Sequence, residues 1–208
     1  MSNTYIINKL ITAFVFLFTL TVHEYSHGLV STLQGDDTPE RYGRLTMNPL
    51  AHIDIIGFIC LIAFRFGWAK PVPISSRNYK NPRLGIILTS LAGPLSNLLI
   101  AFISIIIMHV MPNSVYERMS LLYTFLLYMV YINTMLAVFN LIPIPPLDGS
   151  KIFAEIFRGK AAHIIYTIEG KGTFILFLLL WIPQVQNILS AAIWSVIGFL
   201  EAIVLIFV

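Results

Sequence analysis

Ile11-Thr12-Ala13-Phe14-Val15-Phe16-Leu17-Phe18-Thr19-Leu20-Thr21-Val22 runs without a charge into His23-Glu24-Tyr25-Ser26-His27. A stretch this apolar reads as a membrane helix, and this one carries ionisable groups at its end. At 3.6 residues per turn, His23 and His27 lie one above the other on a single face, so both imidazoles can reach one ion. Glu24 projects about 100° round the helix, beside that ion. Two neutral imidazoles supply nitrogen ligands, and the adjacent carboxylate can take a proton from water, the arrangement H-E-x-x-H of zinc hydrolases. An ionised side chain at the centre of a membrane helix costs about 2.5 to 3.5 kcal/mol on insertion scales, so such residues face a partner or a wet cavity.

The rest of the chain has the same character. Of its 208 residues, 57% are hydrophobic and only 11% charged. Soluble domains carry about a quarter charged residues, so the expected fold is an all-α polytopic membrane protein. About five transmembrane helices fit, with four to six compatible with the sequence. One membrane-embedded domain over residues 1–208 is expected, with a catalytic core of about 5–150 and two further helices within 161–208. Met1 to Asn8 lacks the basic n-region and small-residue cleavage site of a removable signal peptide, so the first helix reads as an uncleaved anchor. The single Cys60 excludes an internal disulfide and multi-cysteine zinc ligation. The net charge of +3 is small and spread, which argues against nucleic acid as a partner.

The first helix is expected from about Tyr5 to Val30, ended by Gln34-Gly35-Asp36-Asp37. Gly43-Arg44-Leu45-Thr46-Met47-Asn48-Pro49 reads as a short strand and turn. Ile53 to Phe66 is apolar but broken by Asp54, Gly57 and Arg65, so a short re-entrant β-hairpin region is expected after the first helix. A second helix covers Leu84 to Met111, with Gly93-Pro94-Leu95-Ser96-Asn97 inside it as a kinked close crossing. The third runs from about Met119 to Ile142 and stops in Pro143-Ile144-Pro145-Pro146-Leu147-Asp148-Gly149, where three prolines preclude a regular helix. Lys151 to Lys160 has the pattern of an interfacial helix. Ala161 to Trp181, interrupted by Glu169 and Lys171, and Asn187 to Val208 read as the fourth and fifth.

Basic residues orient these spans. Arg41, Arg44, Arg65, Lys70, Arg77, Lys80 and Arg83 follow the first helix, and Lys151, Arg158 and Lys160 follow the third, against Lys9 and Arg118 on the other side. The positive-inside rule makes the first set cytoplasmic and the N-terminus external. The histidine motif and Asp148 then share the cytoplasmic-side depth. A catalytic zinc takes three protein ligands and leaves one position for water. Asp148 is the favoured third ligand on depth and side, with His52 and Asp54 as competitors. His109 and His163 read as packing or interfacial residues.

HEYSH in the first helix and FNLIPIPPLDG (Phe139 to Gly149) after the third, with GRLTMNPLAHID (Gly43 to Asp54) and AGPLSN (Ala92 to Asn97), resemble the site-2 protease family of intramembrane zinc metalloproteases. The match is to the short bacterial form, without an inserted PDZ or an appended CBS domain. It covers Thr21 to Gly149. The resemblance implies His23, His27 and Asp148 as ligands of one Zn2+ per chain and Glu24 as catalytic carboxylate. It also implies that Asn140 holds substrate backbone near the site. The expected activity is cleavage of single-span transmembrane proteins in the lipid bilayer near the cytoplasmic side, by zinc-activated water with Glu24 as general base. Gly43, Asn48 and His52, on the expected hairpin, are candidates for pairing with an unwound substrate as an added strand. Two alternatives remain open on the residues alone: a membrane metal transporter or metal-binding protein, and a membrane zinc hydrolase of lipid or prenylated targets.

Overall fold

The computed structural model describes residues 3–55, 57, 68–112 and 119–207. Helix α1 spans Asn3–Leu33, α2 Thr38–Arg41, α3 Pro82–Val110, α4 Ser120–Asn140, α5 Asp148–Phe157, α6 Gly159–Ile168, α7 Gly172–Leu180 and α8 Pro183–Phe207. Short 3-10 turns at Pro49–His52, Ser76–Asn78 and Glu169–Lys171 complete the described elements. Among the described residues, five stretches are long and apolar enough to cross a membrane: Tyr5–Leu33, Pro82–Val110, Ser120–Asn140, Ala162–Leu180 and Pro183–Phe207. The fourth joins α6, a 3-10 turn and α7.

Four helices build the core. Val15 of α1 packs with Met129, Ile132 and Leu136 of α4, and Ile105 of α3 packs with Val130 of α4 and Ile193, Ile197 and Val204 of α8. The outward faces are equally apolar. Leu10, Leu99, Trp194 and Phe199 are each more than half exposed, a surface suited to hydrocarbon rather than water.

Helix ends follow local chemistry. Asn81 caps α3, its side chain accepting from Leu84 N–H at 3.2 Å, and Pro82 takes the first turn, where a missing N–H costs nothing. Pro143 stops α4, and α5 opens directly on Asp148. Arg83 Nε donates to the Glu155 carbonyl at 3.1 Å, tying the start of α3 to α5 at one end of the bundle.

Below α1, Asp36 holds the connecting segments together. Its buried carboxylate accepts from Ser31 Oγ, Ser75 N–H, Asn78 Nδ2, and both the N–H and the hydroxyl of Thr38. Burial works to raise its pKa, but these donors outweigh it and hold the group at about 2.

The expected hairpin is a correction. Among the described residues there is no strand, and one isolated antiparallel bridge joins Ile53 to Ala69, with Lys70 N–H on the His52 carbonyl at 2.9 Å. Local bonds take the donors that pairing would need. Gly43 and Arg44 N–H close onto Glu40 and Pro39, Asn48 N–H goes to Thr46 Oγ1, and Asn48 caps the 3-10 turn by accepting from Leu50 N–H. Most of Ile53 to Phe66, with Cys60 and Arg65, lies outside the described residues, as does Arg118.

Candidate active site

His23 and His27 sit one turn apart on α1, and their Nε2 atoms stand 3.0 Å from each other. Asp148, at the first position of α5, brings Oδ2 to 3.3 Å from His23 Nε2 and 3.1 Å from His27 Nε2. All three side chains are buried. Among the described residues this is the group of His, Cys, Asp and Glu side chains whose ligand atoms converge on one point.

The donor set fits zinc. Ligand distances of about 2.0–2.2 Å in a tetrahedral site put ligand atoms roughly 3.3–3.6 Å apart, a few tenths of an ångström wider than most of the spacings among these three. Imidazole nitrogen and carboxylate oxygen are also ligand types zinc favours. The space is built for them. A Cβ on Gly93 of α3 would lie 2.5 Å from His23 Cε1 and His27 Nε2, so only glycine lets α3 pass behind the rings.

Each imidazole is held from behind by α3. His27 Nδ1 donates to the Thr89 carbonyl at 2.6 Å, and His23 Nδ1 lies 3.1 Å from the Asn97 side-chain amide. Lys151 Nζ stands 3.3 Å from Asp148 Oδ1. Burial works to raise the Asp148 pKa, but the facing His27, hydrogen bonds from both imidazoles and the Lys151 charge outweigh it. The carboxyl is held below the usual carboxylate range.

Glu24 is half-buried at the side of the pair and lines a cavity of about 420 Å3 with His23, His27, Asp148, Val72, Asn140 and Lys151. Its Oε2 accepts from Val72 N–H at 2.9 Å. The cavity walls add Trp68, Pro71, Phe139 and Leu176, so polar and apolar side chains line it together. Asn140 faces this cavity, with its amide nitrogen donated to the Leu136 carbonyl of its own helix at 3.0 Å.

The other sequence candidates lie elsewhere. His52 is buried with Nε2 on the Thr46 carbonyl, and Asp54 accepts from Gly57 N–H; both line a separate small cavity. Gly43 and Asn48 are exposed near α2 and do not line the large cavity. His109 bonds the Ile105 carbonyl of its own helix, and His163 is exposed on α6. Sequence reasoning did not assign Val72 N–H, the Thr89 carbonyl or Asn97. Backbone groups carry no residue signature, but Asn97, polar in an apolar span one turn beyond Gly93, was a signal.

Residues 115–182 match the family model "Peptidase family M50". The chain is 37% identical over 186 residues to "Putative zinc metalloprotease YwhC" of Bacillus subtilis (strain 168), which covers 88% of this chain and 83% of that protein. It is also 32% identical over 130 residues to "Putative zinc metalloprotease MJ0611" of Methanocaldococcus jannaschii, covering 61% of this chain and 62% of that protein. No solved structure matches the chain.

Proposed function

The chain belongs to peptidase family M50, the site-2 protease family of zinc metalloproteases, and on that premise we propose that it cleaves transmembrane proteins within the membrane, near its cytoplasmic side. The observation that carries this reading is the convergence of His23, His27 and Asp148 from two elements of a multi-pass protein, with Glu24 beside them on the same cavity. The three residues hold one zinc. When bound, it polarises a peptide carbonyl and lowers the pKa of water so that attack can proceed near neutral pH.

Glu24 is the general base. Its Oε2 is anchored by Val72 N–H, which leaves the other oxygen to take a proton from the attacking water. Glu24 then returns that proton to the leaving amide nitrogen. The Thr89 carbonyl orients the His27 ring, and Trp68, Phe139 and Leu176 give the cavity apolar walls. A substrate helix hides its amides in internal hydrogen bonds and must unwind to reach this site, and Asn140, which lines the cavity, receives freed backbone.

The cytoplasmic assignment rests on the basic residues that follow α1 and α4, on the side where Arg83 joins α5. The test compares cells expressing the wild type with cells expressing Glu24→Gln. Single-span membrane proteins should accumulate uncleaved in the variant, and purified Glu24→Gln should keep zinc while losing nearly all cleavage. Substantial cleavage by that variant rules out the role given to Glu24.

A further inference from the structure

One face of α3 is built at four-residue spacing, Thr89, Gly93 and Asn97, against the histidines of α1. The Thr89 carbonyl receives His27 Nδ1 at 2.6 Å, Gly93 leaves the space in which both rings stand, and the Asn97 amide reaches His23 Nδ1 at 3.1 Å. Asn97 is wholly buried inside an apolar span, and its Oδ1 has no hydrogen-bond partner.

Chemistry decides which end of this amide meets the ring. If His23 and His27 are ligands, as proposed above, both bind through Nε2, the atoms that face Asp148. In a neutral imidazole the proton then sits on Nδ1. A carbonyl can only accept, so His27 Nδ1 donates to Thr89. An amide NH2 cannot accept, and Asn97 Nδ2 against a protonated His23 Nδ1 sets donor against donor while the amide oxygen goes unpaired. The two ends of the amide have the same shape, and half a turn about its terminal bond puts Oδ1 on that proton.

We infer that Asn97 is a positioning residue whose Oδ1 accepts the Nδ1 proton of His23. It fixes the tautomer and ring plane that present Nε2 to zinc, as the Thr89 carbonyl does for His27. This rests on the ligand assignment made above, and the test separates the two.

Zinc affinity is measured by chelator competition on the purified full chain in detergent, for the wild type, Asn97→Leu, Asn97→Asp and His23→Ala. Asn97→Leu, close in shape and without an acceptor, is expected to weaken binding roughly 10- to 100-fold. Asn97→Asp keeps an acceptor oxygen and should bind within a few-fold of the wild type. In 15N-histidine spectra of the zinc-loaded protein, Asn97→Leu should move the His23 Nδ1 signal and leave that of His27. Wild-type affinity in Asn97→Leu overturns the inference, and so does zinc loss in Asn97→Asp, which would make the amide nitrogen the working atom. Should Asn97→Leu fail to fold, Asn97→Asp decides alone. A wild type without zinc, or His23→Ala that retains it, overturns the ligand assignment and this inference with it.

Discussion

Replacing Gly93 by alanine places a methyl where the two histidine rings stand. The added Cβ would lie 2.5 Å from His23 Cε1 and His27 Nε2 and 2.6 Å from His23 Nε2, against 3.4 Å for ordinary contact. Either the rings retreat by about 0.9 Å or α3 moves away from α1. The rings are not free to swing, because His27 is bonded to the Thr89 carbonyl, His23 faces Asn97, and both face Asp148. Crowding of a packed interior costs about 1–3 kcal/mol. If that falls on the metal site, zinc affinity drops roughly 5- to 150-fold. Chelator competition on the purified protein measures it, with Gly198→Ala as the control, since a Cβ there meets nothing within 4 Å. Gly93→Ala that binds zinc as tightly as the wild type and unfolds at the same temperature would refute the packing of α3 behind the histidines.

Val72→Pro removes the N–H that anchors Glu24; hydrogen bonds to charged groups contribute about 1.5–3 kcal/mol, so cleavage should fall by at least roughly tenfold with zinc content unchanged, while Val72→Ala, which keeps the N–H, stays close to the wild type. Asp36 is held at about 2 against an ordinary 3.8, so its contribution is present above pH 4 and is lost as pH falls through 2. Thermal unfolding of the wild type and Asp36→Asn across pH 6 to 2 should show the gap between them shrink by about 2 kcal/mol. Asn140→Ala should keep zinc and turn over a transmembrane substrate more slowly; equal rates would remove Asn140 from substrate contact.

The long helices were legible because hydrophobic length and proline punctuation act locally. The expected ends of the first and third lie within three residues of Leu33 and Asn140. α8 begins at Pro183 rather than Asn187 because proline fits the first helical turn, so a residue read as a break is a start. The fourth span keeps Glu169 and Lys171 inside it by passing through a 3-10 turn, and Gly172 allows close approach to the Pro145 carbonyl, a tertiary contact no local pattern reveals. Gly43 to Pro49 looked extended by composition, yet Thr46 and Asn48 divert the backbone N–H groups into local bonds. Helical spacing put His23 and His27 on one face, whereas depth and side favoured Asp148 with His52 and Asp54 still open, and the set of three came from the family resemblance. Their supports on α3 and the Val72 N–H depend on which helix faces which, and were not readable from the chain alone.

Zinc content per chain, determined by elemental analysis of the purified wild type beside His23→Ala, His27→Ala and Asp148→Ala, tests the central claim most directly. About one zinc is expected in the wild type and close to none in each variant that folds. Zinc retained undiminished in a folded His23→Ala or Asp148→Ala would place the metal elsewhere and contradict the account.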